Sequence, residues 1–526
     1  MSTVLPPPTK RQKTAASARA AEQQEVEPSV PEGSVRVQFV DRTTGQATGP
    51  AISVKLADAS VKNLEYILND LQGHDDVAER IPYRFFHQRA NGNKDADEAG
   101  DADGLLDVKG DIYSSIIAGR SRQTTEDEVV LQYSPQAVFR VQAVSRCAAA
   151  ISGHGEPILA TQFSPASSSR MVTGSGDSTA RIWDCDTGTP VHTLKGHRSW
   201  VLAVSWSPDD SMIATGSMDN TVRLWDPDTG KALGDQLKGH TKWINSLSWE
   251  PYHLQQPGRP RVASSSKDAT VRIWDAVSRR ADMVLSGHKD SVSCVKWGGT
   301  GFIYTASLDK TVKVWNASTG TLIHTLTGHS HRVNHLALST DFVLRTAYHD
   351  HTHTVPTTDA EKVAKAKDRF TKAATIDGKI VERLVSASDD LTMLLWEPAS
   401  STKPLHSPLR GHQKQVNHVT FSPDGLLIAS AGFDNHVKPW NARDARFITT
   451  LRGHVGAVYQ TAFSADSRLL VSASKDTTLK AWDVGMGKLK TDLPGHKDEV
   501  FAVDWSPDGL RVGSGGKDKQ VRVWSN

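Results

Sequence analysis

Residues 197–226 read HRSWVLAVSWSPDDSMIATGSMDNTVRLWD, and this stretch decides the fold. Three runs of alternating apolar and polar residues are separated by the turn-forming clusters SPDD and SMDN. Alternation with a period of two, bounded by such clusters, predicts short β-strands joined by tight turns. The stretch therefore predicts three consecutive antiparallel strands of one small sheet.

The same pattern recurs along most of the chain. Each unit begins with a Gly-His pair, and the histidines are His154, His197, His240, His288, His329, His412, His454 and His496. The steps between them are 43, 43, 48, 41, 83, 42 and 42 residues, and each unit closes its third run with a tryptophan. A period of about 40–45 residues with these signatures is typical of four-stranded propeller blades. We therefore predict a mainly β fold with an eight-bladed propeller over residues 137–526.

An aspartate precedes the third strand of each unit. These aspartates are Asp177, Asp219, Asp268, Asp309, Asp434, Asp476 and Asp518, and in the fifth unit either Asp389 or Asp390 fills the place. The units resemble the WD40 family, which implies that the aspartate, the histidine, a strand Ser or Thr and the tryptophan form a buried hydrogen-bonded set. Buried polar groups need partners, and these groups supply one another. We therefore interpret the repeated histidines and aspartates as structural rather than catalytic or metal-binding.

The two ends of the propeller region raise the question of how the ring closes. The last motif tryptophan is Trp524 and the sequence ends at Asn526, so the eighth unit has no fourth strand after it. An open sheet edge would expose unpaired backbone groups. We expect a strand within residues 138–151, VFRVQAVSRCAAAI, to supply the missing edge and close the ring.

The one step of 83 residues indicates an insertion at about residues 340–381. Its middle, DAEKVAKAKDRFTKAA, has the composition of a helix. An insertion within one unit maps to a loop on one face, which makes it a candidate partner-binding element. Pro439, in the third strand of the sixth unit, cannot donate to the ladder and predicts one missing hydrogen bond there.

The N-terminal quarter has a different pattern. Residues 1–34 are poor in apolar residues and are predicted to form a disordered, basic and proline-rich tail. Residues 35–133 contain the strand-like runs VRVQFVD, ISVKLAD, IPYRFFH and EVVLQY and the amphipathic stretch VKNLEYILNDL. This order resembles a small α+β ubiquitin-like (β-grasp) domain, which a short linker at residues 134–136 would join to the propeller.

The composition and the motifs of the sequence limit the kinds of protein that this chain can be. No run approaches the roughly 18 apolar residues that a membrane span needs, so no membrane partner is expected. The three cysteines, Cys147, Cys185 and Cys294, are too few for a disulfide framework or a zinc cluster, which favours a reducing compartment. No P-loop, nucleophile elbow or zinc motif occurs in the sequence. We therefore predict a protein that is not an enzyme and has no cofactor of its own.

A ubiquitin-like domain joined directly to an eight-bladed WD40 propeller resembles the Notchless family of ribosome assembly factors. The stretches most similar to the family are IPYRFF, SPQAVFRV and RMVTGSGDSTARIWDCDT. The resemblance implies a nuclear and nucleolar factor, expected to be a monomer, that acts on precursors of the large (60S) ribosomal subunit. It implies that the propeller docks on the pre-60S particle, through assembly factors, ribosomal proteins or rRNA. The ubiquitin-like domain would bind the AAA ATPase midasin, coupling ATP hydrolysis to remodelling and factor release.

The resemblance also implies a metal-dependent contact with midasin. Midasin carries a metal-ion-dependent adhesion site, whose Mg²⁺ leaves one position open for a carboxylate of the partner. In the family this carboxylate belongs to a glutamate just before the last ubiquitin-like strand, and the match in TTEDEVVLQY is Glu126. Asp127 and Glu128 remain alternatives, because the sequence does not show which side chain points outward.

A second function class stays open at this stage. A WD40 scaffold or substrate receptor in ubiquitin signalling could use the ubiquitin-like domain as a docking tag. The acidic strand entrance and the direct fusion of the two domains favour the assembly factor.

Overall fold

The computed structural model describes residues 33–41, 46–72, 83–88, 105–108, 112, 128–135, 141–350, 355–376 and 378–526. The chain divides into two compact units, residues 1–136 and 137–526. Nearly all of the predicted disordered tail lies outside the described residues. Within them, no helix is both long and apolar enough to cross a membrane.

The described part of the N-terminal unit contains one sheet and one α-helix. The strands are β1 (Ser34–Asp41), β2 (Ile52–Lys55), β3 (Tyr83–Gln88), β4 (Leu105–Asp107) and β5 (Glu128–Pro135), and the helix is α1 (Val61–Gln72), which follows a 3₁₀ turn at Leu56–Asp58. The strand order is β2-β1-β5-β3-β4. Strand β5 is parallel to β1 and antiparallel to β3, so the last strand in sequence is hydrogen-bonded on both sides.

The core of this unit follows from the sequence pattern. Alternate residues of β1, Val35, Val37 and Phe39, are fully buried, as a strand with one covered face requires. Leu64 and Leu68, four residues apart on one face of α1, pack into the same core. The sheet and the helix therefore bury a common apolar layer.

The boundary of the N-terminal unit differs from the prediction. Ser134 and Pro135 were expected in the linker, but both continue β5 and pair with Arg84 and Tyr83. A proline is tolerated there because it ends the strand and does not interrupt the ladder. The last strand therefore runs to Pro135, and only Gln136 separates it from the second unit.

The second unit contains, in its described part, eight antiparallel sheets of similar construction. We number them 1 to 8 in the order of their first strands. The first strands are Ile158–Phe163, Val201–Trp206, Ile244–Trp249, Val292–Trp297, Val333–Leu338, Val416–Phe421, Val458–Phe463 and Val500–Trp505. The second strands are Arg170–Ser175, Ile213–Ser217, Arg261–Ser266, Phe302–Ser307, Leu384–Ser388, Leu427–Gly432, Leu469–Ser474 and Val512–Gly516.

The outer half of each sheet consists of a third and, in most sheets, a fourth strand. The third strands are Thr179–Asp184, Val222–Trp225, Thr270–Asp275, Thr311–Asn316, Thr392–Trp396, Val437–Asn441, Thr478–Asp483 and Gln520–Ser525. The fourth strands of sheets 1, 3, 4, 5 and 7 are Thr189–Lys195, Arg280–Ser286, Leu322–Thr327, Leu409–Arg410 and Lys488–Pro494. In sheets 2 and 6 isolated bridges take the place of a fourth strand.

The first strands face one another around a central channel, and side chains connect each sheet to the next. In several sheets an asparagine or serine of the first strand donates to a carbonyl of the following first strand, as Asn417 does to Tyr459 at 2.7 Å. The junction between sheets 8 and 1 is also bonded, with the roles exchanged, because the backbone N–H of Phe163 donates to the carboxylate of Asp504 at 2.8 Å. The eight sheets therefore form a closed ring, the propeller.

A four-residue polar cluster lies inside every sheet. The aspartate carboxylate accepts from the histidine Nδ1 at 2.8–2.9 Å, and the histidine Nε2 lies 2.7–2.9 Å from a Ser or Thr hydroxyl. The tryptophan Nε1 donates to the same hydroxyl. In sheet 5 the aspartate is Asp390, while Asp389 accepts from Asn334 instead. All four polar groups are thereby satisfied without water.

The two ends of the propeller region meet in sheet 8, and the strand that joins them begins later than the predicted stretch. Strand β6 (Arg146–Ser152) pairs antiparallel with Gln520–Ser525, whereas the described residues 141–145 of the predicted strand 138–151 are not strand. They are held elsewhere: Val141 donates its N–H to Asp466, and Val144 is fully buried in the apolar core shared by sheets 7 and 8. The segment 141–145 therefore packs against sheets 7 and 8 before the chain enters β6 and completes sheet 8.

The insertion of sheet 5 is largely helical. It contains α2 (Asp341–Thr346), α3 (Asp359–Ala374) and the short strands Thr375–Ile376 and Lys379–Ile380. Helix α3 begins with a capping box between Thr358 and Glu361, which satisfies two free N–H groups of its first turn. It covers the stretch in which the sequence predicted a helix.

Pro439 lies in register with Ala429 in sheet 6. Its carbonyl accepts from Ile448 on the outer side. Because the N–H and C=O of one strand residue point to the same neighbour, the missing donor of Pro439 also faces outward. This is the side on which sheet 6 has bridges in place of a regular fourth strand.

The polar clusters predict an acid-dependent stability. Burial raises the pKa of Asp434, but hydrogen bonds from His412 and from neighbouring backbone N–H groups lower it to about 2. The extra stability is complete above the unfolded value near 4 and is lost as pH falls through about 2. Asp434→Asn should lower the free energy of unfolding by about 1–3 kcal/mol at pH 7, measured by urea denaturation.

The same measurement should show the difference between Asp434→Asn and the parent chain shrinking below about pH 4. Asp235→Asn, at an exposed position, is the matched control and should change the free energy by less than about 0.5 kcal/mol. A pH-independent difference would contradict a charged carboxylate in the cluster.

Strand β6 provides a test of ring closure. Ile151 is buried against Ile158, Trp183 and Val521, whereas its neighbour Ala150 is exposed. Ile151→Asp should lower the free energy of unfolding by about 3 kcal/mol or more, because it removes apolar contacts and buries a charge without a partner. Ala150→Asp should change the free energy of unfolding very little. Equal effects of the two variants in thermal unfolding would show that β6 does not close the core.

Candidate functional site

The acidic entrance of β5 is only partly described. Glu126 and Asp127 lie outside the described residues, and Glu128 begins the strand. The predicted metal contact of Glu126, with Asp127 and Glu128 as alternatives, therefore remains a prediction. What the structure does describe is the strand that these residues precede.

Strand β5 is anchored along its whole length. It pairs with β1 from Glu128, opposite Arg36, to Tyr133, and with β3 up to Pro135. The Tyr133 hydroxyl also lies 2.7 Å from that of Thr48 and accepts from Gln72 of α1 at 3.0 Å. A pull on the residues before β5 would act first on the ladder with β1, which begins at Glu128, and then also on the ladder with β3, which begins at Leu131.

The propeller channel holds two cavities. The larger, about 600 Å³, is lined by early residues of the first strands, among them Asn245, Asn334 and Asn417. The smaller, about 290 Å³, is lined by late residues of the same strands and by helix α2. The asparagines are already bonded to the neighbouring sheets, so this lining is polar but largely satisfied.

Helix α2 of the insertion lies in the channel and binds opposite sides of the ring. Asp341 pairs with Lys296 of sheet 4 at 3.0 Å. Arg345 pairs with Asp504 of sheet 8 at 2.7 Å and donates to the carbonyl of Trp505. Burial alone would lower the pKa of Lys296, but the Asp341 carboxylate holds it above its usual value. These pairs fix the helix across the channel.

Two channel histidines lie beside this helix. The rings of His335 and His418 are 4.2 Å apart, and His335 Nδ1 lies 3.1 Å from the carbonyl of Val419. Burial lowers the pKa of His418 to about 3, and the nearby Lys296 ammonium adds to this effect. The pair is therefore neutral at physiological pH and packs as two uncharged aromatic rings.

The rest of the insertion packs on the ends of sheets 3 and 4. Phe370 of α3 stacks on His253 with ring centroids 4.8 Å apart, and the Tyr348 and Tyr252 rings meet at 5.0 Å. Buried Glu382, at the end of the insertion, accepts from Gly299 at 2.9 Å. The insertion thus caps one end of the channel.

The sequence did not predict this arrangement. We expected the insertion to be a surface loop that binds a partner, but Asp341 and Arg345 bind the propeller itself. The available signal was the short apolar run FVL at residues 342–344, which a fully solvated loop does not need. Nothing in the sequence links Arg345 to Asp504.

The described residues offer little chemistry beyond binding. They contain no group of three or more His, Cys, Asp or Glu side chains that could hold a metal ion. Burial raises the pKa of the Cys185 thiol to about 12, so this residue is a poor nucleophile. The eight Gly-His histidines and the aspartates that they contact are engaged in the clusters described above. The arrangement favours recognition of other macromolecules.

Comparison with known proteins identifies the propeller repeats. The family model described as "WD domain, G-beta repeat" matches residues 145–184, 188–226, 231–275, 281–316, 402–441, 445–483 and 487–525. The fifth unit, which carries the insertion, is not among these seven matches. The computationally designed Ika8 protein has a similar solved structure, with a TM-score of 0.55 and 26% identity over 72% of this chain and all of that one.

Several relatives are similar over most of the chain. "Ribosome assembly protein 4" of Chaetomium thermophilum is 55% identical over 85% of each chain. The protein of the same name in Saccharomyces cerevisiae is 54% identical over 86% of this chain and 85% of its own. "Protein Notchless" of Drosophila melanogaster is 41% identical over 73% of this chain and 74% of its own. The chain is thus a WD40-repeat protein, and it belongs to the Notchless family, together with these ribosome assembly proteins.

Proposed function

We propose that this protein is a non-enzymatic assembly factor for the large ribosomal subunit, acting in the nucleus and nucleolus. The observation that carries the proposal is the identity of 55% over 85% of both chains to a protein named for ribosome assembly. The propeller would dock on the pre-60S particle, and the N-terminal unit would bind midasin. Coupling of ATP hydrolysis to remodelling and factor release would follow from holding both partners at once.

The architecture supports this assignment in two respects. The order β2-β1-β5-β3-β4, with α1 packed on the sheet and β5 parallel to β1, is that expected of the ubiquitin-like domain. Sheet 5 has the same polar cluster as the seven matched repeats, through His329, Ser386 and Trp396. We infer that it is a WD40 blade divided by its insertion, so that the propeller has eight blades.

The midasin contact is proposed from the family resemblance, with support from the position of β5. One carboxylate of this chain, that of Glu126, would complete the coordination of a Mg²⁺ ion held by the partner's adhesion site. Mg²⁺ requires short, nearly octahedral oxygen ligands, which a single well-placed carboxylate can satisfy. Placement directly before a strand that is bonded on both sides suits a contact that transmits force.

Glu126→Asp tests the metal contact. Shortening the side chain by one methylene withdraws the carboxylate by on the order of 1 Å, which the short Mg–O bonds do not tolerate. The affinity for the purified midasin adhesion domain, measured by titration or pull-down in millimolar Mg²⁺, should fall at least about tenfold.

Matched controls separate the three acids of the entrance. Asp127→Asn and Glu128→Gln each remove one charge without shortening a side chain, and both should retain Mg²⁺-dependent binding. Loss of binding in one of these variants, with Glu126→Asp unaffected, would transfer the metal contact to that residue. Undiminished binding in all three variants would contradict the proposed contact altogether.

The short junction between the two units should matter for force transmission. A flexible Gly/Ser linker of about 20 residues inserted after Gln136 would add slack of about 25 Å on average. Such a chain should bind midasin and the precursor particle normally. ATP-dependent release from purified particles, followed by sedimentation, should slow several-fold. Normal release would show that the junction is only a connection.

A further inference from the structure

The two ends of the propeller channel differ in accessibility. The insertion caps the end at which the first strands finish, through α2 and α3. The opposite end carries the Gly-His pairs and the aspartate turns of the polar clusters, and we call it the histidine face. Here each aspartate also accepts the backbone N–H that follows the histidine, as Asp219 does from Arg198 at 2.9 Å. The loops of this face are therefore rigid supports for whatever side chains they carry.

One part of the histidine face is rich in cations. We define the basic sector as the exposed cations on the loops of sheets 2 to 5: Arg198, Lys242, Lys267, Lys289, Lys310 and Arg332. Among the described residues, none of these six side chains has a carboxylate within ion-pair distance. Two acids lie on the same loops. Asp290 accepts from the backbone of Ser291, and Asp389 accepts from Asn334 and lies 3.4 Å from His331.

Three exposed lysines on the remaining part of the same face have acidic partners. Lys475 lies 3.9 Å from Glu499, Lys517 lies 3.5 Å from Asp498, and Lys519 lies 3.7 Å from Glu156. Lys414 and Lys497 are exposed there and, among the described residues, have no carboxylate within ion-pair distance. The unpaired cations of the histidine face are therefore most numerous over sheets 2 to 5.

Aromatic rings lie within the basic sector. Trp200 is 45% exposed, which is unusual for the largest apolar side chain, and its ring packs against Gly176. A Cβ at position 176 would lie only 3.4 Å from this ring, so the glycine lets the indole rest on the backbone. Nearby, the Lys267 ammonium lies 3.8 Å above the ring of Trp243. Trp200 thus presents an exposed aromatic surface that rests on the turn at Gly176, where the side chain of Glu156 also lies.

We propose that the basic sector binds RNA, with the cations on phosphates and an unpaired base stacked on Trp200. Unpaired lysines and arginines on rigid loops neutralise phosphates, and exposed aromatic rings stack on unpaired bases. An acidic protein would use the cations but has no comparable need for an open indole. The inference rests on the proposed function, since RNA of the precursor particle is the occupant it would supply.

The test compares two triple variants with the same change in charge on the same face. The probes are a fluorescein-labelled single-stranded 20-nucleotide RNA and a blunt duplex of equal length, titrated with the full chain from 50 to 200 mM KCl. Lys242→Ala/Lys289→Ala/Lys310→Ala should weaken binding of the single strand at least tenfold at 100 mM KCl. It should also reduce the slope of log affinity against log salt by about 2, since three phosphate contacts are lost.

The matched control is Lys475→Ala/Lys517→Ala/Lys519→Ala, which should leave the affinity within about twofold and the slope unchanged. Equal losses in the two triple variants, or none in either, would overturn the proposal. The proposal would also be overturned if a polyglutamate peptide bound as tightly as the RNA and displaced it completely.

Trp200 gives an independent readout. Trp200→Ala should weaken the single-stranded RNA at least fivefold while leaving the duplex unchanged, and Trp200→Phe should retain most of the affinity. Parallel losses for single strand and duplex would remove the base-stacking part of the proposal.

Sedimentation with precursor particles separates this inference from the proposed function. A parent chain that binds the RNA as expected but never sediments with large-subunit precursors would overturn the proposed function and leave the RNA site standing. A parent chain that sediments with precursors, while the basic-sector variant binds RNA unchanged, would overturn the RNA site alone.

Discussion

The hydrogen bond between a buried imidazole and an aspartate carboxylate is the contact on which the rest of this structure depends. It recurs in all eight described sheets at 2.8–2.9 Å, and each time it joins the loop entering the first strand to the turn between the second and third. One such cluster fixes two loops on the same face, so eight of them make that face a rigid platform. The cations and Trp200 of the basic sector are positioned by these loops.

The second constraint is that a ring of sheets has no free end. Strand β6 satisfies it by joining the earliest part of the propeller to the latest, and Asp504 of sheet 8 binds two neighbours at the same junction. It accepts from Phe163 of sheet 1 and pairs with Arg345 of the insertion. The insertion thereby adds a strut across the channel to a ring that is already closed at its edge. Its contacts are with the propeller itself, and we propose that the opposite face and the N-terminal unit bind the partners.

Much of the fold could be predicted because its signals are local and repeated. The Gly-His and tryptophan spacing predicts the sheets, and the resemblance to WD40 repeats implied the pairing of His154 with Asp177. The choice between Asp389 and Asp390 was left open, although the spacing to Trp396 matches the other units only for Asp390, and the structure pairs Asp390 with His329. What could not be predicted depends on contacts between distant residues. The strand at residues 138–151 begins late because Val141 is bound by Asp466, 325 residues further along.

The candidate sites, like the fold, include features that the sequence predicts and features that only the structure brings together. The acidic entrance of β5 was found through a family resemblance, since three adjacent acids have no chemistry that singles out one of them. The basic sector was missed because its cations are scattered over four repeats, and a net charge of +2 gives no hint of it. Only the fold brings Arg198, Lys242 and Lys310 onto one face. Whether a lysine of this face is neutralised depends on the acid that the ring places beside it.

The central claim is that one chain holds a precursor ribosome with its propeller and an ATPase with the strand entrance of its N-terminal unit. Photo-crosslinking in purified native particles tests it most directly, with benzoylphenylalanine placed at Thr124 in one chain and at the exposed Thr241 in another. The account predicts crosslinks from position 124 to the midasin adhesion domain, lost when Mg²⁺ is chelated, and from position 241 to precursor rRNA. Crosslinks from position 124 to a ubiquitin ligase, in chains that are absent from precursor particles, would contradict it.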